Sequence, residues 1–414
     1  MNNLHKIIID ATKDIPIAFL KKMLREKITN AGKIPDEEMI NKLVDHIREK
    51  NSGTFQWGDS ADGPEENISI SFSKEDIDEL DKKTRNFIKE NLPEIIVKTA
   101  EDSAKLTLAT LNKNWIEQYT NEKIEKYAFE QRLELRWGNA FKKFRMLLTI
   151  SREIGVEKYE KFIKSNAKKN RYKNEVIHQL YGRACRTMSE IERLLSGGYA
   201  DGALARWRTL HEIYIISEII SSGNDDLAER YLAHEIVENR RAHKVYEESH
   251  KHLSNSSSHA KHAKIIEKEY LEATKKYGQD FKNEYGWASA LSNKSSPNFT
   301  DLEKLAGQSR MRSHYKLASY MVHASVKGIR LNLGLLRQEE FILTGASNAG
   351  LEEAGTNSIL TMGKMAMTLF HTRPNFDELI KINIINIMVS QGISEFIKAR
   401  KKLIAEENSL YINQ

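Results

Sequence analysis

Proline stands at only six positions in this 414-residue chain (16, 35, 64, 93, 297 and 374), so the stretch from Glu94 to Ser296 contains none. Proline removes a backbone donor and clashes with the turn before it, which makes it the strongest interruption of a helix. Its absence lets helices of any length form there. Apolar residues recurring at three- and four-residue spacing in Leu106–Glu117, Glu122–Ile150 and Val156–Ala167 predict that they do. The expected fold class is all-α: a helical bundle core with additional N- and C-terminal helices.

The remaining punctuation divides the chain. Residues 1–50 read as an N-terminal helical segment. The Gly-, Ser- and Asp-rich NSGTFQWGDSADGPEE, followed by the alternating ISISFS, makes 51–73 a linker or a short strand. Ser73 has the form of an N-cap opening a helical region over 74–168, within which Pro93 is expected to start a second helix. Residues 169–340 form the expected central bundle. Its helices span Tyr172–Leu195 and Asp201–Ser221, then a third from near Leu227, broken or frayed at Ser254–Ser258, and a fourth over Leu302–Leu336 after a loop at Gly286–Thr300. Short loops at 196–200 and 222–226 make the first three antiparallel neighbours. Residues 341–414 hold the C-terminal helices, one after Gly345–Gly350 and up to His371, and one begun by Pro374 in its first turn.

Composition excludes several classes. Apolar residues are 40 % and charged residues 29 %, the balance of a globular chain. No window is long and apolar enough to span a bilayer, and the N-terminus lacks the apolar run of a signal peptide, so no membrane partner is expected. The single cysteine, Cys185, rules out an internal disulfide or a CxxC redox pair and points to a reducing, cytoplasmic setting. It reads as a small buried residue. A formal charge of +6 is a weak average field. Lys and Arg nevertheless concentrate at 132–145, with Trp137 among them, and at 168–173 and 396–402, where they mark solvated helix faces or part of a nucleic-acid surface. TGASNAG at 344–350 lacks the Gly-Lys-Ser/Thr ending of a phosphate loop.

The residues that bear most on function lie in Asp201-Gly-Ala-Leu-Ala-Arg-Trp-Arg-Thr-Leu-His-Glu212, where full charges interrupt a helix of interior character. Charge is costly to bury unless paired or used. On a helix Arg208 lies near His211 and Glu212, so the three groups share one face. Arg206 projects roughly 140° away from His211. Further along are His234 and Glu235, then Arg310, Arg312 and His314, then Ser319, Tyr320 and His323. An up-down bundle would bring these toward one polar interior pocket. Two readings follow. One is a structural network, with Arg208 bonded to Glu212 or Glu235 and with His211 and His323 satisfied in the core. The other is a catalytic pocket of Arg206, Arg208, His211, Glu212, His234 and His323.

The catalytic reading resolves most sharply as RNA cleavage. Imidazole titrates near neutrality, so His211 would serve as general acid or base, while Arg206 or Arg208 would hold the scissile phosphate. The 2′-hydroxyl of RNA would be the nucleophile, and neither metal nor cofactor is needed. Arg206-Trp-Arg-Thr-Leu-His211 resembles the arginine–spacer–histidine motif of HEPN ribonuclease domains, from which it departs at Trp207, where active members are usually polar. That resemblance implies an all-helical fold, an RNA substrate and a homodimer with a shared site. A second resemblance covers 170–340. GGYADGALARWRTLHE at 197–212 and YKLASYMVH at 315–323 are similar to two signatures of a bacterial helical family of unknown function. Helical toxins and abortive-infection proteins are similar in architecture, which extends the implied role to phage defence. Any regulatory partner leaves no mark in the sequence.

A metal reading rests on Glu175-Val-Ile-His178 and Glu247-Glu-Ser-His250, which fit the Glu-x-x-His of di-metal carboxylate bundles, with Glu212 and Glu235 as further ligands. The polar setting of the second motif argues against a buried bundle wall. His243, His250, His252, His259 and His262 lack nearby cysteine and read as a solvated arm rather than a zinc site.

Overall fold

The computed structural model describes residues 12–50, 53–57, 68–165, 169–249, 257–336, 342–370 and 374–412. Helices account for the architecture, and no strand occurs among the described residues. In chain order they are α1 (Ile15–Asn30), α2 (Glu37–Lys50), α3 (Lys74–Ser165), α4 (Arg171–Ser196), α5 (Ala200–Ser222), α6 (Asp225–Ala233), α7 (Glu235–Ser249) and α8 (Ser257–Tyr277). After short turns of helix come α9 (Phe299–Leu305), α10 (Arg312–Val322), α11 (Val326–Arg330), α12 (Leu351–Met367) and α13 (Phe376–Ile412). The chain divides into two units, Met1–Glu122 and Lys123–Gln414, and α3 contributes to each.

In the first unit α1 and α2 bury Leu24, Ile28, Ile40 and Val44 against one another. Ile68–Ser73, one of the alternatives for a strand, carries no regular structure. Ser73 caps α3 reciprocally: its hydroxyl accepts from the Asp76 amide at 3.2 Å and its amide donates to the Asp76 carboxylate at 2.8 Å. Pro93 does not start a new helix but lies inside α3. Helix formers continue on both sides of it, and the carbonyl it leaves without a donor, that of Lys89, belongs to an exposed residue within reach of water.

The second unit is built around α5. Ala203, Leu204, Trp207, Leu210, Ile213, Tyr214, Ile215, Ile219 and Ile220 are buried, covering all but the Arg208–Glu212 side of the helix, which marks a helix largely enclosed by others rather than an amphipathic surface one. It packs on α4, α10 and α12, and α12 in turn packs on α13. Leu133, Trp137, Phe141, Phe144 and Leu147 of α3 complete the core from another side. The α4–α5 connection closes with a Schellman motif. Tyr199 donates to the Leu194 carbonyl at 2.8 Å and Gly198 to Leu195 at 3.0 Å, with Gly198 at φ +80°. A Cβ on Gly198 would lie 2.8 Å from the Phe129 ring and from the Ser347 carbonyl, so the turn also needs glycine for space.

Three expected boundaries move. The helix expected from near Leu227 is divided at His234 into α6 and α7. The single helix over Leu302–Leu336 is instead α9, a short turn, α10 and α11. Gly307 at φ +66° ends the first piece, and the Ser325 hydroxyl accepts from the Gly328 amide at 3.1 Å to start the last. Pro374 precedes α13 rather than opening it. Asn375 is the cap, exchanging side-chain and backbone hydrogen bonds with Glu378 at 2.9 and 3.1 Å. His371 and Ser254–Ser256 lie outside the described residues.

Candidate functional site

The Asn298–Asp301 capping box fixes where α9 begins, with bonds of 3.2 and 3.0 Å. That start puts Phe299, Leu302 and Glu303 on the face turned toward α5. Glu303 and His211 are each 1 % exposed, and His211 Nε2 lies 3.2 Å from Glu303 Oε1. The second carboxylate oxygen accepts from Arg312 Nη1 at 2.9 Å. The His211 ring is bounded by Trp207, Tyr315 and Phe299 at centroid distances of 5.3, 5.9 and 6.2 Å.

Around the buried His211–Glu303 pair runs a half-exposed rim, to which Arg312 belongs. Arg208 Nε donates to Glu212 Oε1 at 3.1 Å, and the Tyr315 hydroxyl donates to the same oxygen at 2.6 Å. The guanidiniums of Arg208 and Arg312 stand 4.9 and 5.2 Å from the centroid of the Tyr315 ring. Burial, and then the Glu212 carboxylate, push the Tyr315 phenol well above its ordinary pKa, so it is a donor at any working pH. Beside it His314 Nδ1 approaches Glu353 Oε1 at 2.5 Å, and Asn357 donates to that oxygen at 3.0 Å.

The six predicted site residues are not one constellation. Arg208 and Glu212 pair as expected, but His211 bonds to Glu303 on α9 and not to either of them. Arg206 turns to the opposite side of α5 and pairs with Glu190 of α4, with a 3.4 Å contact to Thr209. A regular helix keeps Arg206 and His211 apart, as their spacing predicts, so the pairing that the HEPN resemblance implies does not form within the chain. His234 is 2 % exposed at the α6–α7 junction. Its Nε2 lies 2.9 Å from the Asn283 carbonyl, its ring stands edge-on to Phe281 at 5.0 Å, and burial lowers its pKa. His323, expected in the interior, is exposed at the end of α10, where the chain turns extended. Arg310 and Glu235 are exposed as well.

Glu303 went unpredicted. Its signal was its place on the Phe299–Leu302–Glu303 stripe, a carboxylate where the apolar spacing leads inward. Thr361 was also missed; its hydroxyl accepts from Trp207 Nε1 at 2.9 Å. No group of three or more His, Cys, Asp or Glu side chains suited to a metal ion occurs among the described residues. His178 stacks on Phe162 at 5.2 Å and its Nδ1 lies 2.7 Å from the Asn174 carbonyl, while His250 and His252 lie outside the described residues. Cys185 is buried, which pushes its thiol up to about 11. No helix of the described residues is long and apolar enough to cross a membrane.

Residues 174–341, less than half of the chain, match a family of unknown function (DUF5677). The matched span contains both the RWRTLHE run and YKLASYMVH, and in the structure these meet through the Tyr315–Glu212 hydrogen bond. No curated protein and no solved structure matches the chain.

Proposed function

We propose that this chain is a helical interaction protein in which the Arg–His–Glu network is structural. The observation that carries the reading is the enclosure of His211: at 1 % exposure, with Nε2 engaged by Glu303, its ring has no path to a phosphate. Support for an interaction role comes from the first unit, where every residue from 101 to 122 of α3 is exposed, including Leu106, Leu108, Leu111, Trp115 and Ile116. A dimer that joined two Arg206–His211 segments into one site would need both side chains released from Glu190 and Glu303.

A second reading, metal-independent cleavage of RNA, is favoured by the accessibility of the rim. Arg208, Arg312 and His314 are 25 %, 39 % and 40 % exposed, so two cations and an imidazole are reachable there. RNA degradation in EDTA separates the readings, with wild type, His211→Asn and His314→Gln run side by side. The interaction reading expects no degradation by any of the three. Degradation by wild type and His211→Asn that is lost in His314→Gln would establish the rim as catalytic. Degradation lost only in His211→Asn would restore His211 as the acid or base and overturn the structural assignment.

A further inference from the structure

Two of the basic runs singled out in the sequence, 132–145 and 396–402, converge. Arg136 of α3 donates to Glu406 of α13 at 2.6 Å, and the two helices frame a cleft of about 350 Å³. Phe129 and Leu133 give it apolar walls, while Arg132, Arg136 and Lys402 supply cations and Glu406 the lone anion among its lining. Trp137 holds the floor in place by donating to the side chain and carbonyl of Asn348 at 3.1 and 3.2 Å.

The charge is not balanced within the cleft. Three cations less one carboxylate leaves a surplus of two positive charges. Glu406 engages Arg136 through Nη2 and reaches Lys402 only at 3.9 Å. Arg136 is 22 % exposed, and its Nη1 is buried with no hydrogen-bond partner among the described residues. The Arg132 guanidinium stands 5.8 Å from the centroid of the Phe129 ring, an arrangement of cation and aromatic face on which a flat ring can stack.

We propose that this cleft binds a phosphate monoester carrying a flat apolar body, of the size of a nucleoside monophosphate. A phosphate monoester brings close to two negative charges near neutrality, which matches the surplus, whereas a carboxylate brings one. The phosphate sits between the Arg132 and Arg136 guanidiniums and the Lys402 ammonium, and the ring lies along Phe129. The ester arrives either as a free nucleotide or as the 5′-phosphate end of an RNA strand. The inference is independent of the role assigned to His211.

Calorimetric titration of the full chain at low salt tests it, with adenosine 5′-monophosphate, adenosine, and a short oligoribonucleotide bearing either a 5′-phosphate or a 5′-hydroxyl as probes. The phosphorylated member of each pair is expected to bind at least about tenfold tighter. Arg132→Gln/Lys402→Gln should weaken binding by about tenfold or more while leaving the melting temperature unchanged, because neither side chain is buried and Arg136–Glu406 is kept. Tighter binding of the phosphorylated oligonucleotide than of the mononucleotide identifies an RNA end as the ligand, and the reverse identifies a free nucleotide. Equal binding with and without phosphate, no binding of any probe at about 5 mM, or an unaffected double variant would overturn the proposal.

Discussion

Replacing Glu303 with leucine removes the acceptor shared by His211 and Arg312. At His211 the environment is closed, so Nε2 is left buried without a partner, at a cost of about 1–3 kcal/mol. Arg312 also loses its bond, but at 39 % exposure water can replace the carboxylate, which reduces that loss to about 0.5–1 kcal/mol. The sum is about 1.5–4 kcal/mol, and at about 2 °C per kcal/mol the melting temperature should fall by about 3–8 °C. A second substitution should rescue the first. His211 is surrounded by Trp207, Phe299 and Tyr315, so His211→Phe suits its walls. Glu303→Leu/His211→Phe then removes both buried polar groups together and should return stability to within about 1 kcal/mol of wild type. Circular dichroism melts of the two single variants, the double variant and wild type form the cycle. A Glu303→Leu melt within about 1 °C of wild type, or a double variant whose loss equals the sum of the singles, would refute the network as a structural element.

Three further outcomes rest on packing and charge. A Cβ on Gly355 would lie 2.4 Å from the ring of Phe396, itself enclosed by Trp137, Phe141 and Phe144, so Gly355→Ala should cost about 1–3 kcal/mol. Gly182→Ala, with nothing within 4 Å on the helix α4, should instead stabilise by about 0.5–1 kcal/mol; melts in the reverse order would contradict both. Hydrogen bonds from Lys161 and Lys381 hold the Glu157 carboxyl at about 2, below the ordinary 4.5. Its stabilisation is therefore complete above about pH 4.5 and lost as pH falls toward about 2. Because Glu157 is partly exposed, Glu157→Gln should lower the melting temperature at pH 7 by only about 1–2 °C, and the gap should close on acidification. A gap that persists unchanged at pH 2.5 would show that the lysine pairs contribute nothing.

The sequence made α4 and α5 legible because the signals there are local. Gly197-Gly198 ends one helix through the αL position that a Schellman turn requires, and the apolar spacing of the next helix runs unbroken to Ser222. Pro93 misled because proline is costly in a helix but not prohibitive when long helical stretches flank it. Leu302–Leu336 misled because Gly307 and Ser325 act through φ and a side-chain cap, which apolar periodicity does not register. The face shared by Arg208 and Glu212 was readable from helical spacing alone. The partner of His211 was not: Glu303 lies 92 residues away, and no local pattern specifies which carboxylate a folded chain will deliver.

Five side chains of α5 with polar groups engage five different neighbours. Asp201 accepts from the Leu333 amide at 3.0 Å, Arg206 pairs with Glu190 of α4, Trp207 donates to Thr361 of α12, His211 meets Glu303 of α9, and Glu212 accepts from Tyr315 of α10. A helix that is apolar on every side has no preferred rotation or axial register, since many packings bury comparable area. Each polar contact removes some of those alternatives, because rotating α5 by one residue would move its polar groups away from their partners by about 100° and bury them unpaired. Arg206 and Arg208 illustrate the division of labour: adjacent in composition but separated by about 200° around the helix axis, they address opposite neighbours. Under the proposed structural role, the charges in DGALARWRTLHE that look misplaced in an interior helix are the groups that select one arrangement of the bundle around it.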